Sequence, residues 1–211
     1  MHTFLIANPK GGTGKTTLAT NLAGYFAQSG RRVTLQDLDR QESSRNWLKR
    51  RPEHLPYVYG DVERDVNLKT KSIEITVIDS PAGLRGDKLS DSVKTADWVI
   101  VPMQSSTFDI DATRDFLEVL KEEKAVRKAR TFVAMVGMRV ASRTIAASNL
   151  EHYLADSGFP VMGCLRNAQI YAHAAEGGLS IFDMSTSKAK KDIEQWSLLL
   201  SWIKSAEKTS L

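Results

Sequence analysis

Cysteine is nearly absent from this sequence, which has Cys164 as its single example in 211 residues. One thiol cannot form a disulfide within the chain, and it cannot supply the set of thiolates that a zinc or iron–sulfur centre needs. The simplest interpretation of Cys164 is a small, buried apolar residue.

Long hydrophobic runs are missing as well. The longest apolar stretches, such as Trp98–Met103, are far shorter than the roughly 20 residues that cross a bilayer as a helix. The first residues lead directly into a strand-like segment, so we expect no secretory signal peptide and a cytoplasmic protein. The length and the even composition predict one α/β domain over residues 1–211.

A strong excess of one charge is also lacking. The chain has 29 Lys and Arg against 25 Asp and Glu, a formal net charge of +4. The positive residues occur in clusters, and such clusters can bind a polyanion. A solvated helix face is the alternative, and for any single cluster it is the better interpretation. The clusters are Arg45, Lys49, Arg50 and Arg51; Lys121, Lys124, Arg127, Lys128 and Arg130; and Lys188, Lys190 and Lys191.

Strand-like and helix-like segments alternate along the chain. Several strand candidates are apolar on both faces, as in parallel strands that helices cover on both sides. The alternation predicts an α/β fold with a doubly wound, mostly parallel sheet and a ligand site at the carboxyl ends of its strands. We predict strands over 3–8, 32–36, 74–79, 97–102, 131–136 and near 160–163. We predict helices over 15–29, 41–51, 87–95, 109–128, 143–157 and 189–206, whereas 52–72 shows no clear pattern.

Residues 8–17, with the sequence NPKGGTGKTT, lie between the first predicted strand and the first predicted helix. The backbone N–H groups of such a loop and the N-terminal end of the helix form a cradle for phosphate. Lys15 can then reach the β- and γ-phosphates of a nucleotide, and the Thr16 hydroxyl can hold Mg²⁺. The loop is unusual because Pro9 stands where the common pattern has glycine, and because Lys10 adds a second lysine at its front.

Two acidic segments follow predicted strands. Asp37 and Asp39 come directly after the second strand, and Asp79 closes the third. A carboxylate beside the phosphate cradle can polarise an attacking water or act through Mg²⁺. Asp is also a common turn residue, so either segment alone would be weak evidence for a nucleotide site. Two such segments after a Gly-Lys-Thr loop favour a nucleotide site with a hydrolytic carboxylate.

Taken together, these motifs resemble those of the ParA/MinD group, the deviant-Walker P-loop ATPases. The resemblance extends over essentially the whole chain, and it implies the P-loop NTPase fold with ATP and Mg²⁺ as ligands. Without an N-terminal helix-turn-helix, the sequence looks like the small ParA proteins, which include plasmid-partition ATPases and ATPases that position carboxysomes or chemoreceptor clusters. The matching segments are 10–17, 37–41, 78–81, 101–104 and 175–182.

The resemblance implies a role for each matching residue. Lys10 is similar to the signature lysine that reaches the phosphates of the partner subunit in an ATP-sandwich homodimer. Asp39 is similar to the aspartate that positions the hydrolytic water, so the implied catalytic set is Lys10, Lys15 and Asp39. Thr16 and Asp79 are implied to hold Mg²⁺, the latter directly or through water. The implied nucleotide-binding residues are Lys10, Gly11, Gly12, Thr13, Gly14, Lys15, Thr16 and Thr17.

The resemblance further implies that an ATP-bound dimer binds nucleoid DNA without sequence specificity. A cargo adaptor or ParB-like partner would then stimulate an ATPase activity that is weak on its own. The implied DNA-binding residues are Arg166, Lys188, Lys190 and Lys191. Met138 departs from the family pattern, which often has Asn at this position on the adenine side.

Two alternative functions stay open at this point. A MinD-like ATPase binds the membrane through a terminal amphipathic helix. The last predicted helix does carry an apolar stripe, although packing against the sheet explains such a stripe better, and a membrane partner is therefore not expected. A metabolic kinase or synthetase of the same superfamily would use a small-molecule acceptor. The stripe consists of Ile193, Trp196, Leu199, Leu200 and Ile203.

Overall fold

A computed structural model of the chain describes residues 1–60, 73–141, 144–145, 148, 150, 153 and 157–209. Within these residues the strands form a seven-stranded sheet in which every neighbouring pair is parallel. The doubly wound, parallel α/β fold expected from the sequence is confirmed. The strands are β1 (His2–Ile6), β2 (Val33–Asp37), β3 (Val58–Tyr59), β4 (Ile75–Asp79), β5 (Trp98–Met103), β6 (Phe132–Val140) and β7 (Val161–Arg166). Their order across the sheet is β3-β2-β4-β1-β5-β6-β7.

Helices cover both faces of this sheet. The helices are α1 (Lys15–Gln28), α2 (Ser43–Arg50), α3 (Gly86–Thr95), α4 (Thr107–Glu122), α5 (Lys124–Arg127), α6 (Gln169–Glu176), α7 (Thr186–Glu194) and α8 (Ser197–Thr209), with a 3₁₀ turn at Ile181–Asp183. The predicted helix 109–128 was wrong as a single element, because Glu123 has extended backbone between α4 and α5. The predicted helix 189–206 is likewise two helices. The predicted helix 143–157 falls largely outside the described residues.

The central strand β1 is buried on both sides because its alternate residues enter two different cores. Phe4 and Ile6 pack with α1 and α8 residues on one face, whereas Leu5 and Ala7 pack with α3 and α4 residues on the other. All four are 0% exposed. The apolar-on-both-faces pattern of the sequence has this physical origin. Trp98 stacks on Phe4 with ring centroids 4.7 Å apart and extends the first core to β5.

The apolar stripe of the last two helices belongs to the core. Trp196, Leu199 and Ile203 are at most 2% exposed and pack in the cluster that contains Phe4. The interpretation of this stripe as core is therefore confirmed. Among the described residues, no helix is long and apolar enough to cross a membrane. Cys164 is half-buried rather than fully buried, and it packs on the edge of the second core.

The strands place their carboxyl ends along one edge of the sheet. Asp79, the last residue of β4, pairs in register with Ile6 on one side and with Asp37 on the other. The loop that follows Ile6 and the loop that follows Asp37 therefore start beside Asp79. This edge of the sheet carries the candidate site.

Gly24 lets α1 pack directly on the 3₁₀ turn. A Cβ at this position would lie 2.3 Å from the Oγ of Ser180 and 2.4 Å from its Cβ. Gly→Ala in an unhindered helix stabilises it by about 1 kcal/mol. We predict the opposite sign for Gly24→Ala, a loss of roughly 1–3 kcal/mol from overpacking, in the free energy of unfolding measured with urea.

The combined variant Gly24→Ala/Ser180→Gly is the matched control. Removing the side chain at Ser180 opens the space that the new methyl group needs, so the two substitutions should cost less together than the sum of their separate costs. A Gly24→Ala protein as stable as the parent would contradict the close packing of these two segments.

Candidate nucleotide site

The loop between β1 and α1 leaves an open cradle at the edge of the sheet. Gly12 and Gly14 have φ angles of 75° and 99°, a left-handed conformation that glycine adopts without strain. A Cβ at Gly11 or Gly12 would have no atom within 4 Å, so the loop backbone faces free space. This space is a cavity of about 260 Å³. It is lined by Gly11, Gly12, Gly14, Lys15, Thr16, Thr17, Asp39, Gln41, Ala82 and Arg139.

Lys15 is held over this cradle by its own loop. Its Nζ donates a hydrogen bond of 2.8 Å to the carbonyl oxygen of Lys10. The residue is 7% exposed, and burial lowers the pKa of its amine, while the nearby carboxylates of Asp79 and Asp39 act in the opposite direction. A partly desolvated cation on the floor of a glycine-rich loop is suited to bind a phosphate.

The carboxylate of Asp79 lies at the bottom of the site and has one oxygen free. Its Oδ2 accepts hydrogen bonds from the hydroxyls of Thr16, at 2.8 Å, and Ser44, at 2.7 Å. Its Oδ1 is buried and has no hydrogen-bond partner among the described residues, and the same holds for the hydroxyl of Ser80. Desolvation raises the pKa of Asp79 to about 6. A buried carboxylate with an unused oxygen beside two hydroxyls fits a divalent cation such as Mg²⁺.

Asp37 and Asp39 have different surroundings. Asp37 is buried, and its carboxylate accepts the backbone N–H groups of Asp39 and Arg45, at 3.0 and 2.9 Å. It therefore shapes the loop before α2. Asp39 is half-buried and lines the cavity, and its Oδ1 accepts the N–H of Gln41 at 3.0 Å. Of the two, Asp39 is the carboxylate that a ligand in the cradle would meet.

Lys10 points away from the cradle of its own chain. Of the residues that the structure describes, ten line the cavity, and Lys10 is not one of them. Its Nζ lies 2.6 Å from the Oδ1 of Asp109, near the start of α4. The lysine side chain is 37% exposed, so it lies at the surface beside the site. The two lysines of the loop thus have separate environments.

A second cavity lies beside the first. It has a volume of about 420 Å³ and shares Thr17 and Arg139 with the phosphate cradle. Arg139 is one of the few non-glycine residues with positive φ, at 53°, and it stands between the two cavities. A phosphate cradle next to a larger cavity leaves room for the rest of a nucleotide. Other lining residues include Met138, Asn167, Gln169 and Tyr171.

Ser44, Gln41 and Arg139 are absent from the set predicted by the sequence. Ser44 reaches Asp79 only because α2 packs beside β2 and turns its first residues toward β4. Arg139 depends on the left-handed backbone at the end of β6. Neither feature leaves a mark in the local sequence.

The basic residues predicted to bind DNA lie around α7. Lys188, Lys190 and Lys191 are exposed, whereas Ala189 and Asp192 of the same helix are buried. The guanidinium of Arg166 is already engaged, because its Nε and one terminal nitrogen lie 2.8 and 2.9 Å from the two carboxylate oxygens of Asp192. The three lysines form an accessible positive surface, and Arg166 braces the helix that carries them.

A strand, a glycine-rich loop with a buried lysine, a helix, and carboxylates at the carboxyl ends of the next two strands on one side, β4 and β2, define a P-loop nucleotide-binding protein. Residues 4–181 match the model of one such family, described as the CobQ/CobB/MinD/ParA nucleotide binding domain. The chain belongs to this family, and within it to the ParA-type P-loop ATPases.

Curated relatives and solved structures agree with this assignment. The maintenance of carboxysome distribution protein A of Halothiobacillus neapolitanus is 25% identical over 190 residues, which cover 86% of this chain and 87% of the relative. The chromosome-partitioning ATPase Soj of Thermus thermophilus is 28% identical over 186 residues, 71% of this chain and 74% of Soj. A complex of a Cyanothece McdA variant with ATP has the same fold, with a TM-score of 0.71 at 17% identity over 95% of this chain and 96% of that one.

The pKa of Asp79 leads to a pH prediction for the protein without nucleotide or Mg²⁺. The folded chain holds this proton more tightly than the unfolded chain, because the folded-state pKa is raised to about 6. The contribution of Asp79 to the free energy of unfolding therefore falls as the pH rises from its pKa in the unfolded chain to its pKa in the folded chain. The loss is complete above about pH 6. Relative to Asp79→Asn, the parent should lose about 2 kcal/mol of unfolding free energy between pH 4 and pH 7.

The measurement is urea unfolding of both proteins across this pH range, because the difference between them cancels the other titrating groups. A difference that does not change with pH would contradict the proposed burial of an ionisable carboxyl at this position.

Proposed function

We propose that this chain is an ATP-dependent dimerising ATPase that binds DNA without sequence specificity and positions or segregates a cargo. The observation that carries the proposal is the separation of the two loop lysines. Lys15 lies in the cradle of its own chain, while Lys10 lies outside that cradle at an exposed edge. A cation placed in this way is available to the nucleotide of a second copy.

Each residue of the site then has a chemical task. Lys15 and the loop backbone bind the phosphates, and Thr16 and Asp79 would hold Mg²⁺, which would neutralise phosphate charge. Asp39 orients the attacking water at the γ-phosphate. Lys10 of the second copy adds positive charge where negative charge develops in the transition state.

The carboxyl edge of the sheet, from which the loops of Lys10 and Asp39 leave, has the character of an interface. Phe108 is 80% exposed and lies next to Asp109, the partner of Lys10, while Leu38 is 49% exposed in the loop that precedes Asp39. Exposed large apolar side chains beside polar groups are typical of surfaces that another protein covers. A second copy that brings its Lys10 to this edge would bury the side chains of both Phe108 and Leu38.

The two lysines should respond differently to substitution. Lys15→Ala removes the cradle cation and should weaken binding of a fluorescent ATP analogue by at least about tenfold, since a charge-assisted contact contributes about 1.5–3 kcal/mol. Lys10→Ala should leave binding to the monomer within about threefold and abolish the ATP-dependent dimer in sedimentation velocity. Dimerisation of Lys10→Ala equal to that of the parent would overturn the cross-subunit role.

The relatives support a role in positioning. One is named for carboxysome distribution and another for chromosome partitioning, and both match most of the length of this chain. We propose that a cargo adaptor or ParB-like protein stimulates hydrolysis here and so releases the dimer from nucleoid DNA. The cargo itself is determined by that partner, not by the site.

The lysines of α7 are proposed to contact the DNA backbone. Replacing Lys188, Lys190 and Lys191 together by Ala should weaken binding of the ATP-bound protein to duplex DNA roughly tenfold or more. The slope of log K against log salt concentration should also become less steep, by about one for each phosphate that a lysine no longer neutralises. Fluorescence anisotropy over a salt series measures both effects.

A triple variant of equal charge provides the control. Lys124, Lys128 and Arg130 are exposed near the amino ends of the strands, away from the nucleotide edge. Their replacement by Ala should leave DNA binding close to that of the parent. Equal decreases in both triple variants would mean that net charge alone, and not the α7 surface, governs binding.

A further inference from the structure

The front half of the phosphate loop is hydrogen-bonded to β5, to α4 and to the segment that joins them. The side-chain nitrogen of Asn8 donates to the carbonyl of Pro102, at 2.8 Å, and to the hydroxyl of Thr113, at 3.0 Å. The amide of Gln104 donates to the carbonyl of Gly12 at 2.5 Å. The loop that presents Lys10 is therefore fixed relative to α4.

The direction of Lys10 follows from these contacts. Its backbone N–H donates to the Oδ1 of Asn8 at 2.9 Å, so the anchored Asn8 orients the residue. Its ammonium group then meets the Oδ1 of Asp109 at 2.6 Å. This is the length of a strong charge-assisted contact. Lys10 is thus paired within its own chain.

Asp109 is arranged to receive this cation. The residue is 8% exposed, in the first turn of α4. Its second oxygen, Oδ2, accepts a hydrogen bond from the hydroxyl of Ser106, whose Oγ in turn accepts the N–H of Asp109 at 3.2 Å. The hydrogen bonds of the helix cap already hold the carboxylate in place. Pairing with Lys10 therefore orders the Asp109 side chain only a little further.

We propose that Asp109 is a positioning residue that retains Lys10 within its own chain and so raises the threshold for forming the dimer. This inference rests on the proposed cross-subunit role of Lys10. The ammonium cannot keep its short contact with Asp109 and also reach the phosphates of a second copy. Only a ligand with enough negative charge at the right place, the γ-phosphate of ATP, displaces the carboxylate, and ADP leaves the pair intact.

The retention of Lys10 is a population effect. The contact between Lys10 and Asp109 is present only in the monomer, and only monomers that have released Lys10 can form the dimer. The apparent affinity of dimerisation is therefore reduced in proportion to the fraction of such monomers. Removing the negative charge of Asp109 should therefore favour the dimer without adding any contact to it. A residue needed merely for the fold would have the opposite effect.

The test compares Asp109→Asn with Asp111→Asn. Asn keeps the shape and can still accept the hydrogen bond of Ser106, while Asp111 lies on the same helix, is exposed and pairs with Arg114. In sedimentation with ATP and Mg²⁺, Asp109→Asn should lower the dimer dissociation constant about fivefold or more, within the usual range of coupling effects. Asp111→Asn should leave it unchanged. A Ser106→Ala variant, which removes the cap but not the ion pair, separates loosening of α4 from release of Lys10.

A second measurement does not depend on the dimer. Amine acylation of the nucleotide-free monomer, followed by mass spectrometry of the Lys10 peptide, should proceed several times faster in Asp109→Asn than in the parent or in Asp111→Asn. An unchanged acylation rate, or a dimer that is unchanged or weaker in Asp109→Asn, would overturn the retention of Lys10. A parent protein that never dimerises with ATP would instead refute the proposed function, whatever the acylation rate shows.

Discussion

The in-register pairing of β2, β4 and β1 is the constraint on which the site depends. Because Asp79 lies opposite both Ile6 and Asp37, three chain segments leave the sheet at the same level. The first becomes the glycine-rich loop, and the segment after Asp37 leads to Asp39. A shift of one residue in this register would turn Asp79 to the other face of the sheet. The buried strand residues therefore fix the geometry of the polar site.

The two halves of the phosphate loop contact different parts of the fold, β4 in one case and β5 with α4 in the other. Its rear half, with Lys15 and Thr16, continues into α1 and contacts Asp79 on β4. Its front half, with Asn8 and Lys10, is bonded to the β5–α4 side. In the proposed function, the loop binds a nucleotide with its rear half and faces a second copy with its front half. This division gives a physical reason for two lysines in one loop.

The sequence alone was sufficient to predict the parallel fold and six of the loop residues that line the cradle, whereas Gln41, Ala82 and Arg139 were not predicted. Gly-Lys-Thr after a buried strand is a local signal, and parallel strands bring Asp39 and Asp79 to the same edge. The contact between Lys10 and Asp109 could not be predicted, because it depends on how α4 packs against β5 and the loop that follows β1. The break at Glu123 and the two-residue strand β3 also escaped prediction, since neither disturbs the hydrophobic periodicity.

The central claim is that the nucleotide site is completed by Lys10 of a second copy. The most direct measurement is ATP hydrolysis by a mixture of Lys10→Ala and Asp39→Ala proteins, each inactive when alone. If Lys10 acts across the interface, a mixed dimer contains one complete site, with Asp39 from the first chain and Lys10 from the second, and the mixture regains hydrolysis. If Lys10 acts within its own chain, every site in the mixture lacks one of the two residues, and hydrolysis that stays at the level of the separate variants would contradict the account.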